Sequence, residues 1–295
     1  MPDLAAPSAA PSQTSVARKP RDDEIDVFGL THQGKVRKTN NDHFLLAALH
    51  KKMDVMLTSI PGLAEQSGRD ERVAIFGMVA DGVGGSEAGE EASRIALETA
   101  SEFLSTSLQA YYGASDQEGA LQAALQEAAT RSHERVLQLA RDRADLRKRA
   151  TTLTVLVGAW PWLYVLQVGD SRYYQFRRGV LKQITRDQTF AQDLVDAGAL
   201  SSAQAQDSPL KNVLSSAIGG DQTAPVVSRF PSDWENVHLA CSDGLTKHVT
   251  DDRIRERLAS LTSAKQACEA LLQDALDGGG SDNITILIAR TVMKD

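Results

Sequence analysis

An α+β domain is the fold class this sequence predicts, and three features carry the prediction. Short apolar runs rich in β-branched residues lie near both ends of the chain, two long segments of helical period separate them, and aspartates sit where several apolar runs stop. Strands, then a helix pair, then more strands give helices packed on largely antiparallel sheets.

The elements follow in order. Residues 1–24 are rich in Ala, Pro, Ser and charge and have no apolar block of the kind a secretion signal carries, so they read as a flexible tail. Segments 25–30 and 43–49 read as two strands joined by the polar turn 32–41. The stretch 51–72 shows no period and reads as a surface insertion, and 73–80 is a third strand ending at Asp81-Gly82. Ser86 is suited to cap a helix, with Glu87, Glu90 and Glu91 in its first turns, that runs to about Tyr112. A second helix spans 116–143, where Leu121, Leu125, Ala128, Ser132, Val136 and Leu139 trace one face.

Segments 151–159, 163–168 and 172–176 then read as a meander. Residues 150–169 carry no charge, but Trp160-Pro161-Trp162 breaks them and Thr and Gln interrupt them, so a buried hairpin fits better than a membrane span. The polar segment 187–212 reads as a short helix plus mobile loop, a flap. A strand at 238–241, helices near 251–261 and 264–276, and a strand at 283–289 complete a single domain over 25–293.

Composition narrows the function. With 42% hydrophobic residues in 295, the chain can bury one sizeable core. A net charge of -7 without a basic block gives nucleic acid or an anionic membrane little to bind. Two cysteines, Cys241 and Cys268, imply no disulfide framework, which favours a reducing, cytoplasmic setting.

Asp42, Asp81, Asp243 and Asp282 lie at the ends of apolar runs, where strands meet loops and acids can converge near water. Carboxylates without clustered His or Cys favour Mg²⁺ or Mn²⁺ over zinc. Asp81-Gly82 can offer a carboxylate and a carbonyl from adjacent positions. A single Asp-Gly pair is ordinarily just a turn, but here two such pairs, at 81 and 243, each follow a strand-like run.

Six blocks also carry a resemblance: Gly34-Lys35-Val36-Arg37-Lys38-Thr39-Asn40-Asn41-Asp42, Val79-Ala80-Asp81-Gly82-Val83-Gly84-Gly85, Ala150-Thr151-Thr152-Leu153-Thr154, Val168-Gly169-Asp170-Ser171-Arg172, Cys241-Ser242-Asp243-Gly244-Leu245 and Gly280-Ser281-Asp282-Asn283. In order and approximate spacing they resemble the metal-dependent protein phosphatase family, type 2C, in its bacterial serine/threonine branch, over about residues 25–290. The resemblance implies an α-β-β-α sandwich, two mainly antiparallel sheets flanked by helix pairs, with two Mn²⁺ or Mg²⁺ ions at one rim. Asp81 then resembles the bridging metal ligand, Gly82 a carbonyl ligand, and Asp243 and Asp282 the carboxylates of the other ion. Asp42 resembles an acid that orients the attacking water, and Arg37 the phosphate-binding arginine, whose fork can make two parallel bonds to phosphate oxygens. Asp145, five residues before Ala150-Thr151-Thr152, matches an acid that holds a third ion in bacterial members. The implied chemistry is hydrolysis of phosphoserine and phosphothreonine in proteins without a covalent phosphoenzyme, by a monomer that opposes a serine/threonine kinase.

Departures from that pattern matter. Asn41 stands where relatives usually carry Glu, Val83 and Ser86 where branches of the family place a histidine, Ala150 where Gly is usual, and Gln188 where His is usual. His43 and His32 are alternatives for the missing proton donor. Asp170 and Asp187 read as turn-forming acids. No D-x-D tripeptide occurs, and Lys247 stands where a cysteine phosphatase built on Cys241 would need Arg. Two rival functions remain: a degenerate phosphoprotein-binding module with weak turnover, and a partner-switching phosphatase for a phosphoserine antagonist protein.

Overall fold

The computed structural model describes residues 18–51, 71–83, 87–111, 117–142 and 149–294. Within them the chain forms β1 (Ile25–His32), β2 (Asp42–Lys51), β3 (Glu71–Asp81), α1 (Glu87–Tyr111), α2 (Gln117–Asp142), β4 (Leu153–Ala159), β5 (Trp162–Val168), β6 (Arg172–Arg177) and β7 (Val180–Gln183). It continues through α3 (Phe190–Asp196), α4 (Ser202–Asp207), β8 (Val226–Pro231), β9 (Val237–Cys241), α5 (Asp243–Thr246), α6 (Asp251–Ala259), α7 (Ala264–Asp277) and β10 (Ile284–Thr291).

Two five-stranded sheets result, one in the order β1-β10-β9-β6-β7 and the other β2-β3-β4-β5-β8, and every pairing is antiparallel. The helices α1 and α2 cover the second sheet, α1 through Ala92, Ile95, Ala96 and Leu104 and α2 through Leu121, Leu125, Ala128 and Val136, the face that its helical period picks out. On the first sheet, α6 and α7 supply Ile254, Leu258, Cys268 and Leu271. Between the sheets, Val79, Leu156, Val165, Ala240 and Leu287 form a third apolar layer. β3 is therefore buried on both faces, which is why its sequence reads as a continuous apolar run rather than an alternation. The α-β-β-α sandwich is the observed architecture.

Several expectations need correction. β1 and β2 are the two expected strands joined by a turn, but they lie in different sheets, so that the turn crosses from one layer to the other. The expected meander breaks after β5, because β6 leaves the second sheet to pair with β9 and β7. β3 begins at Glu71, inside the expected insertion 51–72, while 52–70 lie outside the described residues, as does the expected cap Ser86. Segment 187–212 holds two short helices and a 3-10 turn, Pro209–Asn212, rather than one helix and a loop.

The tail also differs from 18 onward. Glu24 has no exposed side-chain surface and accepts bonds from both Arg18 nitrogens at 2.7 and 2.6 Å and from the Arg21 backbone at 2.8 Å. Arg18 in turn lies 4.8 Å over the Trp234 ring. Buried hydrogen bonding, invisible in a charge-rich stretch of sequence, fixes the segment.

The hydrogen bond from Arg18 lowers the Glu24 carboxyl to about 2, against an ordinary value of 4.5. A depressed folded value means that its stabilisation is present above pH 4.5 and is lost as pH falls toward 2. Melting curves of wild type and Glu24→Gln are expected to differ by several degrees at pH 7, to draw together as pH falls below 4.5, and to converge only below about pH 2. A constant gap across that range would show that the carboxylate charge is irrelevant.

Candidate active site

The four aspartates meet at one rim of the sandwich, and the register explains how. Asp42 opens β2 and Asp81 closes β3, and the two are direct cross-strand partners. Asp243 follows β9 and Asp282 precedes β10, neighbouring strands of the other sheet that present the corresponding ends at the same rim. Asp81, Gly82, Asp243, Asp282 and Arg37 line one open cavity of about 770 Å³, together with Asp170, Lys247 and residues 212–214.

Polar residues of the same sequence blocks act as struts. Asp81 is held by its backbone: its N–H donates to Thr152 Oγ1 at 2.9 Å, and its carbonyl accepts from the Thr152 N–H and Thr151 Oγ1, each at 2.9 Å. Across the sheets, Ser242 Oγ and Thr285 Oγ1 donate to Asp42 Oδ2 at 2.7 and 2.8 Å. Asn283 accepts from the Asn41 N–H at 2.9 Å and donates to the carbonyls of Gln33 and Thr39 at 2.8 Å, clipping the loop that carries Arg37.

Crowded acids resist ionisation. Burial, and then the charges of Asp42, Asp243, Asp170 and Asp282, push the Asp81 carboxyl well above the usual range. Burial raises Asp42 to about 6 against the opposing bonds from Ser242 and Thr285, with Asp243 adding to the rise. Asp170 rises to about 8 through burial and the charges of Asp243 and Asp187. Asp282 goes the other way: burial pushes it up, but bonds from Arg37 and Lys247 outweigh that and hold it low.

Arg37 meets Asp282 with its fork, Nε to Oδ1 at 2.7 Å and Nη2 to Oδ2 at 2.9 Å. The donor geometry expected for a phosphate is thus engaged on a carboxylate. Lys247 Nζ lies 2.6 Å from both Asp243 Oδ2 and Asp282 Oδ2. Among the described residues, no three Asp, Glu, His or Cys side chains are already arranged around a common ion position. The donor chemistry nonetheless fits hard cations: the cavity is lined by carboxylates with no His or Cys among its described residues, and Asp42 Oδ1 and Asp243 Oδ1 are buried without a hydrogen-bond partner in the structure.

Other expectations resolve by position. Asp145 lies outside the described residues. Asp187 is structural, with the fork of Arg172 on its carboxylate at 2.7–3.1 Å. Asp170 belongs to the acidic cluster, which a local turn reading missed. His32 accepts from the Gly34 N–H at 2.9 Å and His43 bonds Ser93 at 3.0 Å; neither lines the cavity. Gln188 serves as a backbone clip, accepting from the Gly169 N–H at 2.7 Å and donating to the Ala224 carbonyl at 2.9 Å.

Comparisons with known proteins agree with this geometry. The family model for protein phosphatase 2C matches residues 64–278. The serine/threonine protein phosphatase PstP of Mycobacterium tuberculosis is 33% identical over 217 residues, 74% of this chain and 40% of that protein. The chain thus spans well under half the length of that relative. The serine/threonine phosphatase stp of Listeria innocua is 32% identical over 219 residues, 74% of this chain and 85% of that protein. Among solved structures, the mycobacterial phosphatase PstP/Ppp aligns with a TM-score of 0.73 at 27% identity, covering 91% of this chain and 99% of that one. The PstP catalytic domain in complex with two manganese ions aligns with a TM-score of 0.71 at 28% identity, over 91% of this chain and 99% of that one.

Proposed function

The chain belongs to the protein phosphatase 2C family, and from that premise we propose that it is a metal-dependent serine/threonine protein phosphatase. The observation that carries this reading is the convergence of Asp81, Asp243 and Asp282 with Arg37 in one open cavity of about 770 Å³, with Asp42 buried behind them as the cross-strand partner of Asp81. Asp81, the Gly82 carbonyl, Asp243 and Asp282 would hold two Mn²⁺ or Mg²⁺ ions, with Asp145 as ligand to a third. When bound, such ions supply charge that offsets the phosphate dianion and activates water.

The chain's own residues do the rest. Arg37 brings five fixed donors to the cavity mouth and, released from Asp282, can clamp two phosphate oxygens. Asp42 is locked in one rotamer by Ser242 and Thr285, so its free Oδ1 can accept a proton from a water held at a defined place. In the reaction, water oxygen bonds to phosphorus, the bond from phosphorus to the serine or threonine oxygen breaks, and a proton passes to that oxygen. Because the cavity is open and recognises the phosphoryl group, the substrates are phosphoproteins, among them a serine/threonine kinase and its targets. A monomer in the cytoplasm is the setting that fits. No helix among the described residues is long and apolar enough to cross a membrane.

Purified protein with Mn²⁺ is expected to release phosphate from a phosphothreonine peptide and to lose that activity on chelation. Tight peptide binding without release would instead make it a phosphoprotein-binding module. Faster turnover of a phosphoserine antagonist protein than of an autophosphorylated kinase would favour the partner-switching reading.

A further inference from the structure

Resting on the metal-centre reading above, we infer that Lys247 is a built-in counter-ion of the acidic rim, which a divalent cation has to displace from Asp243 and Asp282 before it can bind. Backbone geometry creates the contact. The Lys247 N–H bonds the Asp243 carbonyl at 2.9 Å, so Lys247, which caps α5, stands one helical turn from Asp243 and their side chains share a face. The loop before β10 then brings Asp282 to the other side of the ammonium. Nζ bridges one oxygen from each acid at 2.6 Å.

The bridge is well shielded. Lys247 is 27% exposed, and Asp243 and Asp282 are 19% and 16% exposed, so solvent screens this pair of contacts less than it does a surface ion pair. An ammonium joining two carboxylates makes the same use of those oxygens that a divalent ion would. A divalent ion held by the same two oxygens would need the place that Nζ fills between them, and its double charge would repel an ammonium left there, although Arg37 also reaches Asp282 Oδ2 from its other side at 2.9 Å. Loading the site therefore exchanges an internal cation for an external one, and the net affinity is the difference between the two. The displaced side chain stays tethered in the same cavity as Arg37, where its charge faces an incoming phosphate.

The test is calorimetric Mn²⁺ titration and melting of the full chain as wild type, Lys247→Met and Lys247→Arg. Loss of the charge in Lys247→Met is expected to tighten Mn²⁺ binding about tenfold or more, whereas Lys247→Arg, which keeps the charge, stays within about threefold of wild type. Without metal, Lys247→Met is expected to melt lower than wild type, and saturating Mn²⁺ is expected to remove that difference. Unchanged or weaker Mn²⁺ affinity in Lys247→Met, with wild-type binding intact, overturns the inference and leaves the phosphatase reading standing. Absence of Mn²⁺ binding in all three proteins overturns both.

Discussion

Replacing Asp81 with Asn lowers Mn²⁺-dependent phosphate release on the order of 10³-fold, yet raises the melting temperature of the metal-free protein at pH 8. The two effects have one cause. Asp81 is buried against the charges of Asp42, Asp243, Asp170 and Asp282, which together with burial hold its carboxyl well above the ordinary range. Asn keeps the shape and removes the charge, so the metal-free fold no longer has to hold a crowded carboxylate. Its backbone struts to Thr151 and Thr152 do not involve the side chain and survive the change. Divalent cations, on the proposed reading of the site, need that charge. Mn²⁺ should therefore raise the melting temperature of wild type far more than that of Asp81→Asn. Thermal melts at pH 8, with and without Mn²⁺, and phosphate release from a phosphothreonine peptide check both halves. A variant that loses activity and metal-free stability together would make Asp81 a structural strut.

What the sequence made legible was local. The apolar run before Asp81, the Asp-Gly turns and the helical period of α1 and α2 are set by neighbouring residues, and the structure has them at the expected places. Which sheet a strand joins is decided by partners far along the chain, so β6 reads the same whether it continues a meander or crosses layers. β7 and β8 were missed for a different reason: Val-Leu-Lys-Gln and Val-Val-Ser-Arg-Phe-Pro lie at the sheet edges, half-exposed and without a strong pattern. The site shows the same division. Four acids stood out because each stands at one end of an apolar run, whereas Asp170 and Lys247 gain meaning only from acids brought to them by the fold. Ser242, Thr285 and Asn283 are ordinary polar residues in sequence, and their work as cross-sheet struts appears only when the two rims are seen together.

Gly244→Ala separates those rims without touching a charge, and is expected to lower activity on the order of 10²-fold while costing about 1–3 kcal/mol of stability. A Cβ on Gly244 would stand 1.8 Å from the Asn283 carbonyl oxygen and 2.8 Å from its carbon, so α5 has to withdraw from the loop that carries Asp282. The conflict is one of space: no left-handed backbone is recorded at Gly244, unlike Gly34, whose φ is 82°. Ala can therefore keep the helical backbone, and what it changes is the distance between Asp243 and Asp282. The displacement passes on through Asn283, which also holds the backbone of Gln33, Thr39 and Asn41, to the loop that presents Arg37. Mn²⁺ affinity is then expected to fall along with turnover, because the two acids lose their spacing and not their charge. Gly158→Ala is the control, since its Cβ would meet only the Ile75 carbonyl oxygen at an ordinary 3.8 Å. Wild-type turnover and Mn²⁺ affinity in Gly244→Ala would mean that the acids keep their spacing without this contact, and that Ser242 and Thr285 alone suffice to join the sheets at the rim.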